Sequence, residues 1–163
     1  MIYKLYTDGA TTGNGFDGAF GGYAWALIAN DKLIRQGSGG ESPTTNNICE
    51  LKAMINGCEE ARNWIEPFDV VMVYSDSAYI INCYKQGWYK AWESNGWINS
   101  KKQPVANQGL WRDLIPFFED CRFKFEKVKG HSTDKSMDTH WNNFVDKLAV
   151  EAKFNGKEKN SNS

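Results

Sequence analysis

Two short segments constrain the fold more than anything else in the chain. VVMVYSDSAYI, residues 70–80, runs an apolar stretch straight into Ser75 and Asp76, and apolar residues resume with no loop between. IYKLYTDGA, residues 2–10, runs a second strand-like stretch into Tyr6, Thr7 and Asp8. A continuous apolar run of this length predicts a buried strand, here central in its sheet and covered on both faces. A helix should follow Asp76, with Ile80, Ile81 and Tyr84 inward. Two strands that each end on a carboxylate predict a site at one edge of an α/β sheet, where strands end at a reversal of strand order.

The rest of the chain supplies the elements of such a sheet. Residues 2–7 predict the first strand, and the Gly-rich TDGATTGNGFDGAFGG a turn after it. YAWALIA and LIRQGSG then form a hairpin closed at Asn30-Asp31. ESPTTNN carries helix-start chemistry, and Leu51, Met54, Ile55 and Cys58 recur at helical spacing to about Arg62. A helix is expected from Leu110 to Asp120, started near Asn107 and made less regular by Pro116. CRFKFEKVKG alternates as a fifth strand, and Trp141, Phe144, Val145 and Leu148 mark a last helix to about Phe154. The expected fold is α/β, a five-stranded mixed sheet flanked by helices, in one domain over residues 1–155. The polar tail 156–163 has no apolar period and is expected to be disordered.

Composition excludes several classes. Hydrophobic residues make up 41% and charged residues 24%, without a stretch of membrane-spanning length or the apolar core of a signal peptide. No membrane partner is expected, and the cytoplasm is the expected location. Cys49, Cys58, Cys83 and Cys121 are widely spaced, which predicts free thiols and no zinc site. Net charge is −1, so the molecule as a whole does not attract polyanions. Between Lys85 and Arg112, however, Lys85, Lys90, Lys101, Lys102 and Arg112 face only Glu93. Trp88, Trp92, Trp97 and Trp111 lie in the same segment, which is where an anion would sit.

Two further acids stand beside apolar stripes. Glu50 directly precedes the first helical run, and Asp146 lies between Val145 and Leu148, with Asn142 one turn before it. Singly, each acid has a structural explanation. An Asp at a strand end is commonly a turn or capping residue, Glu50 suits a helix dipole, and Asp146 suits pairing with Lys147 or Lys153. As a set they would repel one another, and a hard divalent ion removes that repulsion. Oxygen ligands without thiolate or imidazole favour magnesium or manganese over zinc. The chemistry such a site suits is in-line displacement at phosphorus.

YTDGA with GN after it, TTNNICEL, YSDSAYI, the WxxxW…GW segment with KKQPV, VKGHS and NNFVDKLA occur in the order of the type 1 ribonucleases H. The chain resembles that family over nearly residues 2–152. The resemblance implies a ribonuclease H-like fold and a metal-dependent endonuclease acting on the RNA strand of RNA–DNA hybrids. It makes Asp8, Glu50, Asp76 and Asp146 the metal-binding carboxylates for two Mg2+ ions, with Mn2+ as a substitute. Asp8 would bridge both ions, Glu50 and Asp76 complete the sites, and Asp146 hold the second ion. His131, in KGHSTDKS, resembles the family's mobile histidine near the attacking water or departing product, or else is an exposed loop residue. Asn14, Asn46 and Asn47 resemble contacts in the hybrid minor groove, with helix capping the alternative for the last two. Thr45 resembles a hydroxyl that grips a DNA-strand phosphate. Trp88, Trp92 and Trp97 resemble the packed frame of a basic protrusion, with Lys90, Lys101 and Lys102 as its substrate-facing cations. Asn142 joins these as a substrate-binding candidate, and His140 matches nothing. The expected partner is an RNA–DNA hybrid duplex, bound by a monomer.

Two positions depart from the family pattern. Ala78 stands where many members carry a Gln that touches substrate, and Glu93-Ser94-Asn95 stands where bacterial relatives often carry consecutive basic residues. Both bear on affinity and processivity rather than on the chemistry. Of the alternatives, another nuclease or transposase on this fold would call for a separate DNA-recognition domain. A non-catalytic hybrid-binding module would be expected to lack one of the four acids, and a calcium-binding domain would need an EF-hand loop.

Overall fold

The computed structural model describes residues 1–13, 19–128 and 136–161, with side chains through residue 155. The elements run β1 Ile2–Thr12, β2 Phe20–Ala29, β3 Lys32–Glu41, α1 Asn46–Arg62, β4 Val70–Ser75 and α2 Ala78–Gln86. They continue α3 Trp88–Asn95, α4 Gln108–Phe118, β5 Phe123–Lys127 and α5 Met137–Ser161. The sheet order is β3-β2-β1-β4-β5. β1, β2 and β3 pair antiparallel, while β4 is parallel to β1 and β5 parallel to β4. This is the mixed five-stranded sheet expected from the sequence.

Local chemistry accounts for the connections. Asn30 and Asp31 both take positive φ, 53° and 61°, as the tight β2–β3 hairpin requires. Ser77 caps α2, its hydroxyl accepting the Ile80 amide 3.3 Å away, so strand passes to helix across one residue pair. Gly87 ends α2 in the left-handed conformation at φ 72°. Cys49, Cys58 and Cys83 are buried free thiols on α1 and α2, and Cys121 is an exposed one.

The core has two parts. On one face, Leu5, Val71, Val73 and Phe125 pack with Leu51, Met54, Ile80, Trp92, Trp111 and Phe118 from the first four helices. On the other, α5 lays Trp141, Val145 and Ala149 against Tyr6, Ala24, Ala26 and Ile28. No helix is long and apolar enough to cross a membrane among the described residues.

Three expectations need correction. β1 does not end at Thr7 but continues to Thr12, because β2 goes on pairing with it as far as Thr12–Phe20. β4 is covered unequally on its two faces: Val71, Val73 and Ser75 are buried, while Met72 and Tyr74 are partly buried, Tyr74 at the margin of the α5 cluster, because α5 packs chiefly on β1, β2 and β3. Finally, α5 does not stop at Phe154 but runs to Ser161, so the helix outlasts its apolar stripe. No proline stands between those positions to end it.

Candidate active site

β1 parts from β4 before it parts from β2, and the site opens where it does. The parallel pairing of β1 with β4 ends at Tyr6–Tyr74. Asp8 therefore lies inside a strand yet beyond the parallel ladder, opposite Ala24 of β2. Asp76 follows the last residue of β4, and Glu50 is on the second turn of α1, buried at 4% exposure. Gly9 lets that helix come in close. A β-carbon on residue 9 would stand 2.9 Å from the Cys49 β-carbon and from the Glu50 amide nitrogen.

One carboxylate oxygen each from Asp8, Glu50 and Asp76 lies within 4.8 Å of the others. Asp146 reaches the same cluster from α5, within hydrogen-bonding reach of Asp8. Burial, then the charges of Glu50, Asp76 and Asp146, push the Asp8 carboxyl up to about 10. Burial and Asp76 push Glu50 up to about 8. Like charges thus crowd the cluster, and Oε2 of Glu50 is buried with no hydrogen-bond partner among the described residues. A hard divalent cation supplies both the missing charge and the missing partner, so these residues fit a metal centre.

The four acids line a cleft of about 410 Å³ together with Asn46, Asn47, Ser77, Ala78 and Tyr79. Asn46 and Asn47 are exposed as the first two residues of α1, on the cleft wall. The helix cap that the sequence offered to them belongs to Thr45, whose hydroxyl accepts the Ile48 amide at 3.2 Å. Asn142 is buried at 4% exposure and is not among the cleft-lining residues. Asn14 and His131 lie outside the described residues.

A second cleft, about 600 Å³, adjoins the first. It is lined by Trp88, Trp92, Asn95, Ile98, Asn99 and Lys101, among others, and by Tyr79, which lines the acidic cleft as well. Trp92 is packed edge-on against Trp111 with ring centres 5.3 Å apart and lies 6.0 Å from Trp97. The tryptophans thus frame the segment. Not all of its cations are available: Lys85 pairs with Glu126 at 2.8 Å, and Arg112 lies over Trp97 at 4.6 Å. All five cations are exposed; Lys90 lies over the Tyr89 ring at 5.9 Å, and of the five only Lys101 lines the second cleft. Tyr79 was missed in the sequence, where it is one apolar-run residue among several; only its place three residues after Asp76 marks it.

The RNase H family model matches residues 2–154. A ribonuclease H of Syntrophomonas wolfei is 43% identical over 150 residues, covering 91% of this chain and 93% of its own. One from Acetivibrio thermocellus is 41% identical over 155 residues, covering 94% and 97%. Among solved structures, the prototype foamy virus RNase H domain matches with a TM-score of 0.77 at 23% identity, covering 93% of this chain and 94% of that one. The foamy viral protease-reverse transcriptase in complex with an RNA/DNA hybrid matches with a TM-score of 0.77 at 21% identity, covering 94% and 20%. Both likenesses concern the fold, and they agree with the strand order and flanking helices described above. With curated relatives above 40% identity along almost the whole chain, the chain belongs to the ribonuclease H family.

Proposed function

We propose that the protein hydrolyses the RNA strand of RNA–DNA hybrids as a metal-dependent endonuclease, leaving 3′-hydroxyl and 5′-phosphate ends. The observation that carries this is the cluster of Asp8, Glu50 and Asp76 within 4.8 Å, two of the three almost fully buried. Dependence on a divalent metal goes with the family, and the all-oxygen cluster fits it. Mg2+ is the proposed ion, two per site, held by Asp8, Glu50, Asp76 and Asp146, with Mn2+ as a substitute. When bound, such ions activate water and stabilise the leaving oxygen.

The chain's own residues do the rest. The cleft is open at Asn46 and Asn47, whose amides can donate to and accept from 2′-hydroxyls and base edges in a minor groove. Those asparagines, with Asn14, are the proposed readers of the hybrid. The DNA strand would continue toward the adjoining tryptophan-framed cleft and Lys101. Thr45, its hydroxyl already holding α1, would meet a phosphate only as part of that helix start. Ala78 presents no hydrogen-bonding side chain to the cleft, so the minor-groove contacts rest on the asparagines. His131 is proposed to assist the attacking water or departing product, with His131→Ala retaining measurable activity. The protein is proposed to act as a monomer in the cytoplasm.

The test is an end-labelled RNA strand presented alone, paired with RNA and paired with DNA, with and without Mg2+. Cleavage is expected only in the hybrid and only with the metal. Comparable cleavage of single-stranded RNA, of duplex RNA or of an all-DNA duplex overturns the proposal.

A further inference from the structure

α5 carries Asp146 into the acidic cleft, packed on the sheet through Trp141, Val145 and Ala149, and one further contact ties it to the sheet toward each end. At one, Gly22 of β2 meets helix backbone: a β-carbon there would stand 2.7 Å from the Ala152 carbonyl carbon and nearer still to Ala149 and Lys153. Ala24 and Ala26 continue this track of small residues along β2, both fully buried beneath α5. At the other contact, Tyr6 of β1 donates its hydroxyl hydrogen to Oδ1 of Asp138, the second residue of α5. Asp146 falls between the two. It follows Asp138 by about 12 Å along the helix axis. Asp8, its neighbour in the cleft, follows Tyr6 by about 7 Å along β1, on the same face of the strand.

The Tyr6 hydroxyl has little freedom to point elsewhere. Tyr6 is fully buried, and its ring stacks on Tyr74, its register partner in β4, at 5.0 Å and 20°. Lys4 approaches the same Asp138 oxygen at 3.7 Å, from a position that is more than a third exposed. Within that turn, Ser136 accepts the Thr139 amide at 3.2 Å. Tyr6, fully buried, and Asp138, whose side chain is 45% exposed, link the first turn of α5 to β1.

We propose that Tyr6 and Asp138 are a positioning pair for the metal centre: their hydrogen bond registers α5 on β1 and so sets how Asp146 stands to Asp8. The proposal rests on the reading of the four acids as metal ligands. It differs from a merely stabilising contact in one respect: metal capture, and not only the melting temperature, depends on the pair.

The test compares Tyr6→Phe, Asp138→Ala, the double variant and Asp138→Asn, at a temperature where all are folded by circular dichroism. Tyr6→Phe keeps the stacked ring and loses only the hydroxyl. Asp138→Asn loses the charge facing Lys4 but keeps an oxygen that can accept from Tyr6. Three readouts are taken: the Mg2+ concentration giving half-maximal hybrid cleavage, the rise in melting temperature on adding Mg2+ without substrate, and amide exchange across residues 137–146. Tyr6→Phe and Asp138→Ala are each expected to raise the Mg2+ requirement about tenfold, the low end of the effect of losing a group that supports a metal ligand. Both should shrink the Mg2+-induced stabilisation and speed exchange in 137–146 but not in α1. The hybrid KM should stay within about twofold of the wild type, the double variant should be no worse than the singles, and Asp138→Asn should retain most of the effect of the wild-type pair. An unchanged Mg2+ requirement and unchanged exchange in Tyr6→Phe overturn the positioning pair, as does full additivity in the double variant. Failure of the wild-type protein to cleave hybrid overturns the proposed function instead, and the exchange comparison still decides the pair.

Discussion

Gly9 and Glu50 approach more closely than any side chain on residue 9 would permit, with 2.9 Å between a β-carbon built on Gly9 and the Glu50 amide nitrogen. This approach sets the distance between β1, which carries Asp8, and α1, which carries Glu50. Gly9→Ala is expected to push the first turns of α1 outward, at a cost of about 1–3 kcal/mol for forcing a methyl into a packed contact. The Mg2+ concentration needed for cleavage should rise with it. Denaturant unfolding and a metal titration of the same variant check both halves. Wild-type stability together with a wild-type metal requirement would mean that the packing there is slack.

Asp8→Asn and Asp76→Asn are each expected to abolish cleavage in Mg2+, because each removes a charged oxygen ligand from the cluster. Neither should unfold the protein. In the metal-free state, Asp8→Asn should raise the melting temperature, since it removes a carboxyl that must take up a proton on folding, crowded as it is by Glu50, Asp76 and Asp146. Each kcal/mol relieved is worth about 2–4 °C at this chain length. Near wild-type turnover in either variant would remove the acids from the mechanism.

The raised carboxyls make a pH prediction for the metal-free protein. Burial and neighbouring charge lift Glu50 to about 8 and Asp8 to about 10 in the folded state. Unfolded, both titrate near 4. Between those limits the native state holds more protons than the unfolded one, so stability falls as pH rises. In chelator, the melting temperature should be lower at pH 9 than at pH 6, and Asp8→Asn or added Mg2+ should flatten the difference. A melting temperature that rises over this range would mean the acids are not crowded as described.

Much of this site was legible in the chain itself. Asp76 could be placed because the apolar run of β4 stops beside it and α2 starts at Ser77, so strand and cap are both local signals. Glu50 and Asp146 were legible as acids beside apolar helical stripes. The extent of β1 was not, because Gly9, Ala10 and Gly13 read as a turn, whereas antiparallel pairing with β2 holds the strand straight to Thr12. Nor were the Tyr6–Asp138 bond and the Tyr79 position shared by two clefts, each of which depends on residues brought together by the sheet. A sequence window also overstates the basic segment. Lys85 and Arg112 count there as charges, but one is paired with Glu126 and the other stacked on Trp97.

The remaining cations make the last prediction. Asn99 closes a tight loop: its side-chain oxygen accepts the amides of Lys101 at 2.9 Å and Gln103 at 3.0 Å, and its backbone nitrogen donates to the Gln103 carbonyl at 2.8 Å. Lys102 takes a left-handed φ of 60° at the tip, so the backbone is held while both lysine side chains remain exposed. Behind the loop, Trp92 is wedged between Trp97 and Trp111, so the cations stand on a packed base rather than on a free strand of chain. A chain of net charge −1 with an acidic centre needs such a platform to hold a polyanion away from its metal ligands. Removing one lysine–phosphate interaction should flatten the dependence of log KM on log salt by roughly 0.9. Lys101→Glu with Lys102→Glu is therefore expected to raise the hybrid KM, most at low salt, and to flatten its salt dependence, with kcat largely kept because the acids lie in the neighbouring cleft. Steady-state cleavage of one hybrid from low to moderate salt measures both quantities. An unchanged KM and slope would show that the substrate does not run along this loop.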